Sequence, residues 1–286
     1  MTSRPQTPDI AALERAFATD GYAVAKGVIP RGQRDDVYRA TTKVLARFAP
    51  EPAAALGDAT PWLDPRFHAA LSELRRRDPK MFGAFYDTLQ VSLVVSRLPS
   101  APELLEISAR LLDDDVVGLA ATGQMLRMDP PHDSRNSLDW HQESSYYQQN
   151  ANSKNGLVVW IPMHDMVESV GPVTFCRGSH LRGRITIDSS GKGDYETSEQ
   201  FRIPEQEVAK FDPVSAICEA GDAVFFHMDV FHRSGINTSE RFRFSCGARF
   251  HRMTSDDFVP GRFRYHPNEL LRQQVSERWS VSLRHF

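Results

Sequence analysis

The sequence predicts a mainly β fold with a helical buttress, a jelly roll carried against helices. Three observations predict it. Residues 1–115 show apolar positions at helical spacing, and beyond them short apolar runs alternate with turn signals. The chain has 286 residues, 41% hydrophobic and 25% charged, which suits one globular domain with a large core.

The helical part comes first. Asp9 is placed to cap a helix that carries Ile10, Leu13 and Phe17 on one face. Residues 21–29 (GYAVAKGVI) read as a strand. Val37, Val44, Leu45 and Phe48 recur at helical spacing over 33–48. Further helices are expected near 67–76, 81–93 and 102–112, with a Pro-, Ala- and Gly-rich connection over 50–61. After Asp115 the runs 119–128, 156–163, 173–176, 217–219, 223–228 and 243–250 read as strands. Asp129-Pro130-Pro131, Gly171-Pro172, Gly178-Ser179, Gly221-Asp222 and Asn237-Thr238-Ser239 separate them. Strands so short and so regularly punctuated suit a double-sheet β-barrel or jelly roll. The polar, Gly-rich stretch 188–199 reads equally as a functional mobile loop or an inert insertion. Residues 267–278 carry an amphipathic helical pattern, read first as packing and otherwise as a lid or dimer contact. The expected organisation is one domain: helical to about 115, a β core over 116–252 and a helical extension over 253–286.

Composition excludes several classes. Lys plus Arg is 34 and Asp plus Glu is 37, a net charge of −3, without the basic excess of a nucleic-acid binder. No run of 18 apolar residues could span a membrane, and the first ten residues lack the apolar core of a signal peptide. Cys176, Cys218 and Cys246 are widely separated and form no C-x-x-C pair, as expected of reduced, buried thiols in a cytoplasmic protein. The expected partner is a small-molecule substrate, with no nucleic acid and no membrane; a homodimer stays open.

The chemistry concentrates in Asp139-Trp140-His141-Gln142-Glu143. On a strand His141 and Glu143 would project from one face, because side chains repeat every two residues. With a second histidine from elsewhere, two imidazoles and a carboxylate leave three adjacent coordination positions open, as non-haem Fe(II) oxygenases require. Alone, H-x-E is a weak signal. Residues 221–249 strengthen it: His232 ends an apolar run, Ser234 follows, and a turn leads to a strand bearing Arg241 and Arg243. An arginine there can hold the distal carboxylate of 2-oxoglutarate bidentately, and the Ser234 hydroxyl can add a hydrogen bond. Of the two, Arg243 lies further past the turn, level with Ser234 and His232.

Taken in order, Trp140-His141-Gln142-Glu143, Gly171–His180 (GPVTFCRGSH), Gly221–His227 (GDAVFFH) and His232-Arg233-Ser234-Gly235 followed by the arginines resemble the phytanoyl-CoA dioxygenase family, over residues 124–249. The resemblance implies a double-stranded β-helix and an oxidoreductase, a dioxygenase using Fe(II), 2-oxoglutarate and O2. It places the metal on His141, Glu143 and His232, which are also the catalytic set. It places the co-substrate on Arg243 and Ser234, with Gln124 a weaker contact. One departure stands out: the family motif is H-x-D, whereas this chain has Glu143. A carboxylate in that position fills the site that halogenating relatives leave for halide, so hydroxylation or another oxidation is expected rather than halogenation; the expected substrate is a polar small metabolite or biosynthetic intermediate.

Arg127, Tyr146 and Trp160 are candidate substrate contacts, although Trp160 reads more simply as a core aromatic. His180 reads as a turn residue, and His227 with Asp229 as a structural pair. Two other functions stay open on sequence: a cupin-like metalloenzyme that does not use 2-oxoglutarate, and a non-catalytic binding protein on the same fold.

Overall fold

The structure, a computed structural model, describes residues 8–56, 62–133, 137–147, 149–185 and 201–259. The stretches 188–199 and 267–278 lie outside the described residues. Helix α1 (Ile10–Asp20) is capped as expected: the Asp9 carboxylate accepts from the Ala12 N–H. It stops at Gly21, whose φ of 81° favours glycine. Strand β1 (Tyr22–Ala25) follows at once and is shorter than the 21–29 run, because Ile29 already bonds the Gly221 carbonyl in a loop.

Helix α2 spans Arg31–Phe48. The connection expected over 50–61 contains a short helix, α3 (Pro50–Ala54), which starts on a proline that needs no N–H partner there. Helices α4 (Pro65–Arg77) and α5 (Pro79–Gln90) begin in the same way behind Asp64 and Asp78, whose side chains cap them. The helix expected near 81–93 is α5, which ends at Gln90; a further short helix, α6 (Leu93–Arg97), follows it. Helix α7 (Pro102–Leu111) completes the buttress.

The strands form two antiparallel sheets. The larger runs β1-β6-β3-β8-β2, with β2 Leu119–Asp129, β3 Gly156–Pro162, β6 Ala223–His227 and β8 Arg243–Arg252. The smaller runs β5-β4-β7, with β4 Val173–Cys176, β5 Pro213–Ser215 and β7 His232–Ser234. The run 217–219 is not a strand; Cys218 makes only an isolated bridge to Met166, and the strand lies just before it at β5.

Alternation along the strands builds two cores. Leu157, Val159 and Ile161 of β3, Phe225 of β6 and Phe244, Cys246, Ala248 and Phe250 of β8 join the helices in the larger core. Val158 and Trp160 of β3 and Phe226 of β6 turn the other way and pack against Phe175 of β4. The small sheet therefore faces the inner side of the large one. Two buried histidines fix the start of β8: His68 Nδ1 accepts from the Phe242 N–H, and His164 Nε2 from the Phe244 N–H, each at 3.1 Å. Burial holds both imidazoles down at about 4, so both are neutral acceptors at pH 7. All three cysteines are free and buried. No helix among the described residues is long and apolar enough to cross a membrane.

Candidate metal centre

His141, Glu143 and His232 meet between the sheets, each with no more than 5% exposed surface. They do not meet by the route the sequence predicts. His141 is not on a regular strand. It forms one isolated antiparallel bridge with His232, closed by His141 N–H to His232 O at 3.0 Å and His232 N–H to His141 O at 3.1 Å. The chain then bends, and Glu143 opens a 3-10 turn (Glu143–Ser145), with its carbonyl accepting from Tyr146 and Tyr147. Strand parity is lost, yet one ligand atom from each residue lies within 4.8 Å of the others.

The donors suit a divalent metal. The Nδ1 atoms of His141 and His232 sit 2.6 and 3.0 Å from the Asp139 and Val230 carbonyls. A carbonyl only accepts, so Nδ1 carries the proton and Nε2 keeps its lone pair. Both Nε2 atoms face Glu143 Oε2, at 3.7 and 3.3 Å. Burial pushes the His232 imidazole below its ordinary value, which favours the neutral form. Burial alone would raise Glu143, but the positive charge of Arg249 beside it holds its carboxyl well below the usual range. Two imidazoles and one carboxylate make the set that binds non-haem iron.

The cavity beside these ligands, about 60 Å³, is lined by Arg127, Trp160, Ser234, Arg243 and Arg249 among others. Arg243 is 3% exposed and gives Nε and Nη2 to Asp129 Oδ2 at 3.0 and 2.8 Å. Its Nη1 donates to the Gly235 carbonyl at 3.0 Å. Arg127 Nη2 donates to the other oxygen of Asp129 at 2.9 Å. Burial opposes ionisation of Asp129, but the two guanidinium charges win and lower its carboxyl. Two cations thus share one anion beside the ligands. A larger surface depression between α4, α5 and Pro130 holds none of these groups.

Other expected site residues fall at varying distances. Trp160 is both a cavity wall and a core residue. Arg241 is half-buried, near His68 and His164, and is not a cavity residue. Gln124 is not among the lining residues either: the β2–β8 register shifts between Thr122 and Met125, and its neighbours Met125 and Arg127 take the cavity side. Tyr146 stands edge-on to His141 with ring centroids 5.7 Å apart, but its hydroxyl accepts from Phe201 N–H, away from the cavity lining. His180 Nε2 bonds the Ala18 carbonyl, while His227 and Asp229 bond each other, Ser144 and Ser153, so none of the three joins the ligand cluster. Sequence reasoning missed Arg249 and Asp129. The alternation that puts Arg243 inward continues through Ser245 and Gly247 to Arg249, and could have found it.

A model of the family described as phytanoyl-CoA dioxygenase matches residues 17–245. The chain belongs to this family. The cofactors expected from the sequence, Fe(II), 2-oxoglutarate and O2, are those of the family, and the His-Glu-His cluster supplies the ligands they need. No curated protein matches the chain. Among solved structures it is similar in fold to the non-heme alpha ketoglutarate dependent epimerase SnoN from nogalamycin biosynthesis. That match has a TM-score of 0.55 and 16% identity, and covers 85% of this chain and 82% of the other. The carbocyclase SnoK from the same biosynthesis gives a TM-score of 0.55 and 18% identity, covering 88% and 86%. AviO1 from Streptomyces viridochromogenes Tue57 gives 0.54 and 16%, covering 89% and 99%.

Proposed function

We propose that this chain is an Fe(II)- and 2-oxoglutarate-dependent dioxygenase that hydroxylates a polar small metabolite, on a core that is a double-stranded β-helix. One observation carries the reading: three convergent metal donors open into a cavity that also holds a buried arginine oriented by an aspartate. His141 and His232 would hold the metal through Nε2 and Glu143 through Oε2. Bound iron and 2-oxoglutarate supply the oxidising power for attack on a C–H bond.

The residues themselves bind and orient. Asp129 and Gly235 engage three of the five N–H donors of Arg243, which leaves two for a carboxylate. Because Asp129 also holds Arg127, the cluster carries one net positive charge, matched to an anion at the far end of the cavity. The Ser234 hydroxyl, beside His232 on β7, adds a donor to the same anion. Trp160 and Arg127 form wall and rim for the substrate, with Tyr146 on the exposed side of His141. Burial of the ligands keeps water from competing. With Glu143 filling the carboxylate position, halide has no place on the metal.

The test is direct. Protein given Fe(II), ascorbate and 2-oxoglutarate should form succinate slowly without substrate. His141→Ala should hold far less Fe(II). Absence of both succinate and anaerobic 2-oxoglutarate binding would refute the reading, as would undiminished iron binding by His141→Ala.

A further inference from the structure

Glu143 is where this chain departs from H-x-D. Glutamate reaches one methylene further than aspartate and can bring both oxygens to one ion. Bidentate binding would take one of the three adjacent positions that a chelating co-substrate and O2 share. In the structure the two oxygens have separate partners. Oε2 faces the histidine Nε2 atoms, whereas Oε1 accepts from Arg249 Nε at 2.7 Å and is also paired with its Nη2.

Arg249 is itself held on several sides. Its backbone lies in β8, in register with Thr122 of β2 and Val158 of β3. Its Nη1 donates to the Gly123 carbonyl at 2.9 Å, and its guanidinium lies 4.5 Å from the centre of the Tyr147 ring. Gly123 sits where the β2–β8 register shifts, with φ 58°, and a Cβ there would come within 2.7 Å of the Tyr147 hydroxyl. The bulge therefore makes room for the tyrosine that backs the arginine. The Arg249 and Glu143 side chains are only 12% and 4% exposed, so water competes little for the pair.

We propose that Arg249 is a positioning residue of the metal centre: it occupies Oε1 of Glu143, so that this longer ligand binds metal through Oε2 alone and a co-substrate position stays open. The proposal rests on the metal and 2-oxoglutarate reading above. It predicts an unusual pattern on substitution. Arg249→Met frees Oε1 and removes a positive charge near a dication, so metal affinity should hold or rise. Co-substrate affinity should fall by about tenfold or more, about 1.4 kcal/mol. Glu143→Asp on the Arg249→Met background, which withdraws the extra reach, should restore it. Arg249→Gln, which keeps one donor for Oε1, should fall between.

The experiment uses the full chain, with Ni(II)-loaded crystals and anaerobic titration of 2-oxoglutarate. The expected result is one Glu143 oxygen on nickel in the parent, two in Arg249→Met, and rescue by the double variant. Two oxygens on nickel in the parent, or unchanged 2-oxoglutarate affinity in Arg249→Met, would overturn the proposal. Loss of metal and 2-oxoglutarate together without rescue would also overturn it, because that is what a purely structural arginine does. A parent with one oxygen on nickel and no affinity for 2-oxoglutarate would overturn the oxygenase reading instead and support the positioning role.

Discussion

On the helix-facing side of β8 lie Phe244, Cys246, Ala248 and Phe250, all buried in the larger core. On the opposite side lie Arg243, Ser245, Gly247 and Arg249, around the cavity. Both rows hang from one backbone, and alternation alone separates them. The first row stabilises by removing apolar area from water, roughly 1.5–3 kcal/mol for each large side chain. The second row holds two guanidiniums that must find anions once desolvated, and each has one: Asp129 for Arg243 and Glu143 for Arg249. The difference teaches that stability and ligand binding in this strand can be altered separately, one residue apart.

The largest effect should come from the apolar row. Phe244 is fully buried and packs on Phe67 and Trp62. Phe244→Ala should cost about 3–5 kcal/mol of unfolding free energy in urea, while the folded protein keeps its 2-oxoglutarate affinity. Loss of affinity in the folded variant would show that the two faces are coupled.

Arg243→Ala should do the reverse. It should raise the anaerobic dissociation constant for 2-oxoglutarate at least roughly a hundredfold, about 2.7 kcal/mol. Arg127 remains to pair with Asp129, so the melting temperature should move far less than in Phe244→Ala. A larger loss of stability than of affinity would mark Arg243 as scaffold.

A third effect sits where the faces meet. His68 and His164 hold the N–H groups on either side of Arg243, with folded pKa values of about 4 against an ordinary 6.5. Below pH 6.5 the unfolded chain binds protons that the folded chain refuses. Their contribution to stability is therefore whole above about pH 6.5 and is lost as pH falls toward about 4, at up to about 1.4 kcal/mol per pH unit for each histidine. Urea unfolding at pH 7 and pH 5 should show the drop, and His68→Gln, which leaves His164 in place, should lessen it. Equal stability at the two pH values would contradict it.

The smallest effect should be at Arg241, two residues before Arg243 but outside the cavity. Arg241→Ala should weaken 2-oxoglutarate binding by less than about tenfold. A larger loss than in Arg243→Ala would move the anchor to Arg241.

Much of this was legible because it is local. The Asp9 cap and the strand alternation of β3 and β8 depend on neighbours within a few residues. The three ligands were legible as residue types, but not as geometry. Same-face projection was expected from a strand, and it comes instead from one bridge and one turn. Strands β5 and β7 have three residues each, too few to show a period. Arg249 was legible as an inward position by alternation from Arg243, but its pairing with Glu143, over a hundred positions away, was not. Gln124 lies at the bulge where the β2–β8 register shifts, which strand periodicity does not show.

The backbone bridge between His141 and His232 has a further consequence. The two imidazoles are brought together by a pair of peptide hydrogen bonds, so that long loop is closed through the backbone as well as through the ligand side chains. Small metal domains that fold only around their ion lose both together. Here the ion is a replaceable part. Iron lost through oxidation should leave the chain standing, and fresh ferrous ion with a reductant should return it to service without a round of refolding.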